Sequence, residues 1–200
     1  MPQEGVVSLS ALVGTECQRC RALLLRGVIL PWKGGSAAAN LDAAAIRSLR
    51  TRKTFHLPGT KGYAVVGIAD KGFLRERTVD ALTVRSRVNP PLLTAEGDAV
   101  VYLVRGVNPH QMDDVTDRQR LQLSVQALMA PAARAGVLEY NIYTGRVIRF
   151  RPVTPDKAGA LLHLQQWAEE YRRGIPPPNE DCAVCRYVTA AAAGLTVAPR

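Results

Sequence analysis

The chain has 200 residues, 47% hydrophobic and 22% charged, a balance that supports a packed core and excludes a disordered or low-complexity tract. Its 26 Lys and Arg against 17 Asp and Glu leave a net charge of +9, which points to a polyanionic partner, with nucleic acid the commonest. No run approaches the roughly 20 apolar residues that span a bilayer, and the opening MPQEGVVSLSALV is acidic where an export signal is basic, so the expectation is a cytoplasmic protein with no membrane partner.

In chain order, Ser8–Gly27 reads as a helix, capped by Ser8 or Ser10, ended by Gly27, with Leu12, Val13, Cys17, Cys20 and Leu24 at helical spacing. A loop, PWKGGS, precedes an alanine-rich helix over Leu41–Arg50, where Arg47, Arg50, Arg52 and Lys53 form a basic cluster. Tyr63–Ala69 and the alternating run Leu82–Val88 read as strands; Asn89, Pro90 and Pro91 then break the chain before the buried strand Asp98–Val104. A long helix is expected over Thr116–Ala135, ended by Gly136, followed by a hairpin of Val137–Ile142 and Arg146–Phe150 turning at Tyr143-Thr144-Gly145. The last helix starts at Thr154-Pro155-Asp156 and stops at Gly174, and Ile175–Asp181 is an extended, proline-stiffened arm. This order predicts an α/β (mixed α+β) fold, a mixed sheet flanked by helices. The length suits one domain over residues 1–200.

C-x-x-C occurs twice, at Cys17/Cys20 and Cys182/Cys185, and there is no other cysteine. Each pair presents two sulfurs to one ion, and two pairs complete a tetrahedral set, so one metal centre that clips the termini is expected. The N-terminal helix (about residues 8–27) and the C-terminal segment (about residues 175–200) would form this metal-binding subregion. Zinc and a 4Fe-4S cluster both accept four thiolates. The competing reading is two buried helix cysteines and a separate redox pair. His56, His110 and His163 lack ligand spacing.

Several segments together resemble the PD-(D/E)XK nuclease superfamily, in particular the RecB-like CRISPR-associated exonucleases. These are Ser8-Leu-Ser10 running into Cys17-Gln-Arg19, Gly67-Ile-Ala-Asp70, the strand Val100–Gly106, Asp117 with Gln122-Leu123-Ser124-Val125-Gln126-Ala127-Leu128, and the proline-rich approach to the second C-x-x-C. The resemblance covers most of the chain outside Asp70–Asp98, and it implies a restriction-endonuclease-like sheet. It also implies a site of one Asp, a second carboxylate and a Lys, which holds Mg²⁺ or Mn²⁺ and activates water.

The departures from that pattern bear on activity. Asp70 matches the first carboxylate, but Tyr102 stands at the second and Val104 at the Lys. Asp80, or Glu96 and Asp98, supply carboxylates in a rival register without a Lys two residues on, and Lys71 beside Asp70 points to the other face of a strand. Gln122 is the glutamine that lies near the active site in such proteins; Gln122 and Gln126 also read as a solvated helix face. The third cysteine that follows C-x-x-C in the family is absent and Cys20 restores the count to four, which favours zinc over iron–sulfur.

The expected function is a nucleic-acid-binding, nuclease-fold subunit of a CRISPR-type or DNA-processing assembly, working with other protein subunits in antiviral defence and without nuclease activity of its own. Its nucleic-acid contacts would come from Arg47, Arg50, Arg52, Lys53, Arg85 and Arg87. Two other functions fit the residues: an active Mg²⁺- or Mn²⁺-dependent DNA exonuclease with relocated ligands, and a metal-clipped scaffold that binds protein alone.

Overall fold

The computed structural model of the chain describes residues 6–28, 36–50, 55–58, 60, 64–69, 71–110, 113–130, 132 and 134–186, and the structural findings below concern these. They divide into two units, one from Met1–Lys33, Glu76–Arg85 and Leu162–Arg200, the other from Gly34–Arg75 and Ser86–Leu161.

In the first unit, the single helix expected over Ser8–Gly27 is instead a strand β1 (Val6–Ser8), a short helix α1 (Leu9–Val13) and a second helix α2 (Gln18–Leu25). The cause is local. The β-branched pair Val6-Val7 lies parallel to Thr83-Val84. After α1, the Thr15 hydroxyl donates back to the Ala11 carbonyl at 2.8 Å, and Cys17 is extended (φ −69°, ψ 121°) before α2 begins. β1 is the outer strand of a sheet ordered β1-β5-β4, in which β4 (Phe73–Val79) and β5 (Leu82–Val88) flank a turn with Asp80 at φ 52°. Sequence pattern showed β5 but not β4, whose inward positions are only half-buried and whose centre reads Arg-Glu-Arg. The helix α5 (Lys157–Arg173) ends where Gly174 takes φ 99°, the left-handed stop that glycine adopts without strain.

The second unit carries a six-stranded mixed sheet of β2 (Phe55–His56), β3 (Ala64–Ile68), β6 (Leu92–Thr94), β7 (Ala99–Val107), β8 (Arg134–Asn141) and β9 (Val147–Val153), in that order. Only β7 and β8 are parallel neighbours in it, joined by the crossover helix α4 (Asp117–Met129). Thr116 and Gln119 form a capping box at its start. α4 stops six residues before the expected end at Ala135, because Pro131 in the sequence forces the preceding residue out of the helical region, and Ala130 is extended at φ −107°, ψ 144°. Gly136 therefore lies inside β8. A Cβ there would stand 2.2 Å from Phe150 Cζ and 2.6 Å from the Arg151 carbonyl oxygen, so the position admits hydrogen alone.

Alternation sorts the sheet residues onto two faces. Val100, Tyr102, Leu138 and Phe150 pack with Leu49 of α3 (Ser36–Arg50). Val101, Ala135, Val137 and Val153 pack with Leu123 and Ala127 of α4.

On the α4 face one carboxylate interrupts the apolar run. Glu139 is fully buried and pairs with Arg105, with Arg149 (Nε to Oε2, 2.6 Å) and with Arg151 (Nε to Oε1, 3.2 Å). Burial pushes this carboxyl up, but the hydrogen bonds from Arg105 and Arg149 outweigh it and hold the group below its ordinary value of 4.5. A depressed acid pKa stabilises the folded chain above the unfolded value and ceases to do so as pH falls through the folded one. Glu139→Gln should cost about 3 kcal/mol at neutral pH by leaving three guanidiniums against one neutral amide. In urea titrations the gap between parent and variant should narrow as pH falls below 4.5 and through the lower folded-state pKa. Gly136→Ala should cost about 3 kcal/mol or more at every pH, since a backbone carbonyl cannot retreat from the new methyl; the same titrations check it.

Candidate metal centre and the nuclease-like face

Three arginines of the first unit position the second cysteine pair. Arg21 holds Glu170 of α5 through two bonds (2.6 and 2.7 Å), Arg26 donates to the Tyr171 carbonyl and lies over its ring, and Arg19 donates to the Pro176 carbonyl at 2.6 Å. Together they fix the end of α5 and the proline arm against α2. The arm closes in a turn in which the Cys182 amide donates to the Asn179 carbonyl, and one helical turn over residues 183–186 follows.

All four cysteines meet there. Cys17 Sγ lies 3.4 Å from Cys185, and Cys20 Sγ lies 3.5 Å from Cys185 and 3.6 Å from Cys182. All four sulfurs fall within 4.8 Å of one another and none is in a disulfide. Four thiolates about 2.3 Å from one tetrahedral ion lie about 3.8 Å apart, so the set could bind a metal ion. Burial pushes the Cys20 and Cys185 thiols up. In Cys17 burial acts the same way, but the Cys20 backbone amide and the neighbouring thiols outweigh it and bring the group down to about 7. Cys17 caps α2 from outside the helix, so the two N-terminal cysteines reach the cluster from a cap and a first turn.

In the second unit, Tyr102 is fully buried and Val104 half-buried, both in the apolar cluster on the α3 face. Asp42 on α3 accepts a hydrogen bond from the Tyr140 hydroxyl. Burial raises the Asp42 carboxyl above its ordinary value against the lowering effect of the Tyr140 hydroxyl, and burial together with Asp42 pushes Tyr140 up to about 12, so the phenol is neutral at pH 7. Asp70 lies outside the described residues. The rival carboxylates serve other partners: Glu96 and Asp98 both pair with Arg134 (2.8 and 3.2 Å), and Asp80 pairs with Arg172 (3.3 Å). Among the described residues, the four cysteines are the only group of three or more His, Cys, Asp or Glu side chains close enough to hold one ion.

Gln122 is half-buried on α4, which packs on the opposite face of the sheet from Tyr102 and Val104. Gln126 is buried rather than solvated, and its amide donates to Ser86 Oγ and to the Arg87 carbonyl, both at 3.2 Å. Of the expected nucleic-acid contacts, Arg47 and Arg87 are exposed, and Arg85 is held by Glu76 at 2.6 Å. Arg50 ends α3 and its side chain is not described; Arg52 and Lys53 lie outside the described residues. Sequence reading missed the buried Glu139 with its arginines and the Asp42–Tyr140 pair. The signal for the first was present, a glutamate in the apolar strand Val137–Tyr140 opposite the alternating Arg149 and Arg151; Asp42 in an alanine-rich helix gave none.

No protein-family model matches the chain, and no curated protein matches it. Its structure is similar to the crystal structure of SSO0001, at a TM-score of 0.55 and 16% identity over 98% of this chain and 90% of that one. It is also similar to an alkaline exonuclease from Laribacter hongkongensis, at a TM-score of 0.50 and 14% identity over 96% of each chain. At these identities the likeness establishes the fold. The chain has a mixed α+β, nuclease-like fold with four cysteines gathered from near its two ends.

Proposed function

We propose that this chain is a nucleic-acid-binding subunit of a CRISPR-type or other DNA-processing assembly, that it has no nuclease activity of its own, and that its cysteines hold one structural zinc ion. The observation that carries the reading is Tyr102. At the position where the resembled family has its second carboxylate, this chain has a neutral, fully buried phenol, with Val104 beside it in the same apolar cluster. A hard divalent cation needs charged oxygen ligands and bound water, and an apolar cluster supplies neither. The nuclease-like fold and the net charge of +9 support a nucleic-acid partner. Asp70, Gln122, Arg47, Arg50, Arg52, Lys53, Arg85 and Arg87 remain the sequence-derived candidates for whatever contact or remnant chemistry survives. The whole chain would serve as one domain, with the cysteine-bearing ends as its metal-binding part.

Zinc is favoured over an iron–sulfur cluster by the size of the cage. The cysteine sulfurs lie 3.4–3.6 Å apart in three pairs. The thiolates of a four-iron cluster stand about 6 Å apart, because four irons and four sulfides must fit between them.

Two measurements test these readings. Elemental analysis of protein purified without chelator or air should find one zinc per chain, no iron and no visible absorbance. Serine at Cys17, Cys20, Cys182 or Cys185 should abolish the zinc and lower Tm, because ligand binding is coupled to folding in such sites. Iron in place of zinc, or neither, would overturn the metal assignment.

Incubated with Mg²⁺ or Mn²⁺, the protein should leave single-stranded and duplex DNA and RNA intact. It should bind them with an affinity that falls about 10³-fold or more between 50 and 200 mM salt if several phosphates are contacted. Cleavage that is lost on Asp70→Ala or Asp42→Ala would establish a relocated active centre instead. Salt-indifferent binding, or none at low salt, would leave a protein-binding scaffold.

A further inference from the structure

The α4 face of the second unit carries more positive charge than its carboxylates balance, and the surplus is concentrated in one pocket. The cavity is about 330 Å³ and is lined by Arg120, Arg149, Arg151, Asp114, Val115 and Pro152 among others. Beneath it lies the buried Glu139, which pairs with Arg105, Arg149 and Arg151. Arg105 is anchored further, donating to the Asp114 and Asp113 carbonyls at 3.0 and 2.9 Å. Three guanidiniums, those of Arg105, Arg149 and Arg151, thus share two carboxylates. One of these, Asp114, is 94% exposed and touches only the edge of Arg151 at 3.3 Å. Arg120 lies in the first turns of α4, exposed, with no carboxylate partner among the described residues. The partial positive charge of the α4 N-terminus adds to the same field.

We propose that this pocket takes a backbone phosphate of nucleic acid, with Arg149, Arg151 and Arg120 as its donors and Asp114 as the carboxylate the phosphate displaces. The inference rests on the nucleic-acid reading above and gives it a location different from the sequence-derived basic residues. The chemistry favours phosphate. Guanidinium forks match two oxygens of a phosphate at once. Glu139 holds two of the three forks in place before any ligand arrives, so little side-chain freedom is lost on binding. The fourfold positive cluster keeps a net charge of +2 with both carboxylates ionised, which suits an anion with two or more exposed oxygens. Asp114 already occupies the edge of the cluster with a carboxylate, weakly enough to be exchanged.

The test is an anisotropy titration of a labelled single-stranded oligonucleotide with the full chain at several salt concentrations. It compares the parent with Arg120→Gln, Asp114→Asn and, as a surface control on α3, Arg47→Gln. Arg120→Gln should weaken binding about 3- to 10-fold and make the log–log salt slope shallower by about one. Asp114→Asn should tighten binding a few-fold, a gain that loss of a merely structural contact does not give. If both pocket variants bind like the parent while Arg47→Gln weakens, the pocket assignment is overturned and the nucleic-acid reading stands.

If no protein binds at low salt, the nucleic-acid reading fails and the backbone-phosphate occupant fails with it. Inorganic phosphate against chloride at equal ionic strength then separates the remaining cases. A rise in parent Tm that Arg120→Gln abolishes assigns the pocket to phosphate from another source, and no rise removes the site altogether.

Discussion

Two adjacent parallel strands cannot be joined by a tight turn, and that constraint on β7 and β8 organises the second unit. The crossover must be long enough to return the chain to the same end of the sheet, and α4 supplies it. Once α4 covers the face of Val101 and Val137, the alternate residues of the same strands need a second cover, and α3 provides it through Leu49 and Ile46. Tyr102 and Val104 point to that second layer. In a catalytic sheet this layer must stay open to water, cation and substrate. Here Phe150, Leu138 and Leu57 close it, and Phe150 packs so tightly over Gly136 that no side chain fits between the strands. A carboxylate at position 102 would then lose its hydration inside that apolar cluster, a cost of several kcal/mol. Neutral residues at 102 and 104 and a closed apolar layer therefore belong together.

The first unit solves a different problem. Its strand β1 spans three residues and its helices α1 and α2 five and eight, too few to hold a register unaided. The four sulfurs bring residues 17 and 185 within 3.4 Å across 168 positions of chain. Arg19 and Arg21 of α2 and Arg26 at its C-cap make that closure cheap in entropy, because they already hold Pro176, Glu170 and Tyr171 on the approach to Cys182. An ion at the cysteines would add to this arrangement rather than create it.

The cysteine cluster was legible in the sequence because its signal is combinatorial: two C-x-x-C pairs and no other thiol leave one economical pairing. The central strand and the helix after it were legible because Val100–Val104 is an unbroken apolar run and Leu121, Val125 and Leu128 recur at helical spacing, while their parallel crossover showed only in the structure. What escaped was decided by single residues acting at a distance or by exposure. β4 has no apolar face to show, since its burial comes only at alternate, half-covered positions. The strand at Val6–Ser8, where a helix start was expected, is set by its pairing with β5, some 75 residues on, which no local window contains. Gly136 has the look of a helix stop, and only the ring of Phe150 shows why glycine stands there. Gln126 has the look of a solvated residue, and only Ser86 and Arg87 show why it is buried.

A surplus of nine positive charges counted along the sequence says nothing about where they are free. Folding assigns partners unevenly. In the first unit Arg21, Arg85, Arg172 and Arg173 each meet a carboxylate, and in the second unit Arg134 meets two. Around Glu139 the ratio reverses, with three arginines on one buried carboxylate. A buried carboxylate is costly to keep, and one partner with hydrogen bonds to its remaining lone pairs would meet the need. The additional guanidiniums cannot be explained by Glu139 alone. Two of the three, Arg149 and Arg151, line the pocket, so the same carboxylate that secures the fold of the sheet also holds a positive surface in a fixed shape. A basic patch of flexible lysines would attract polyanions without orienting them; guanidiniums held from below by a rigid anion present their donors in a defined array before a ligand arrives.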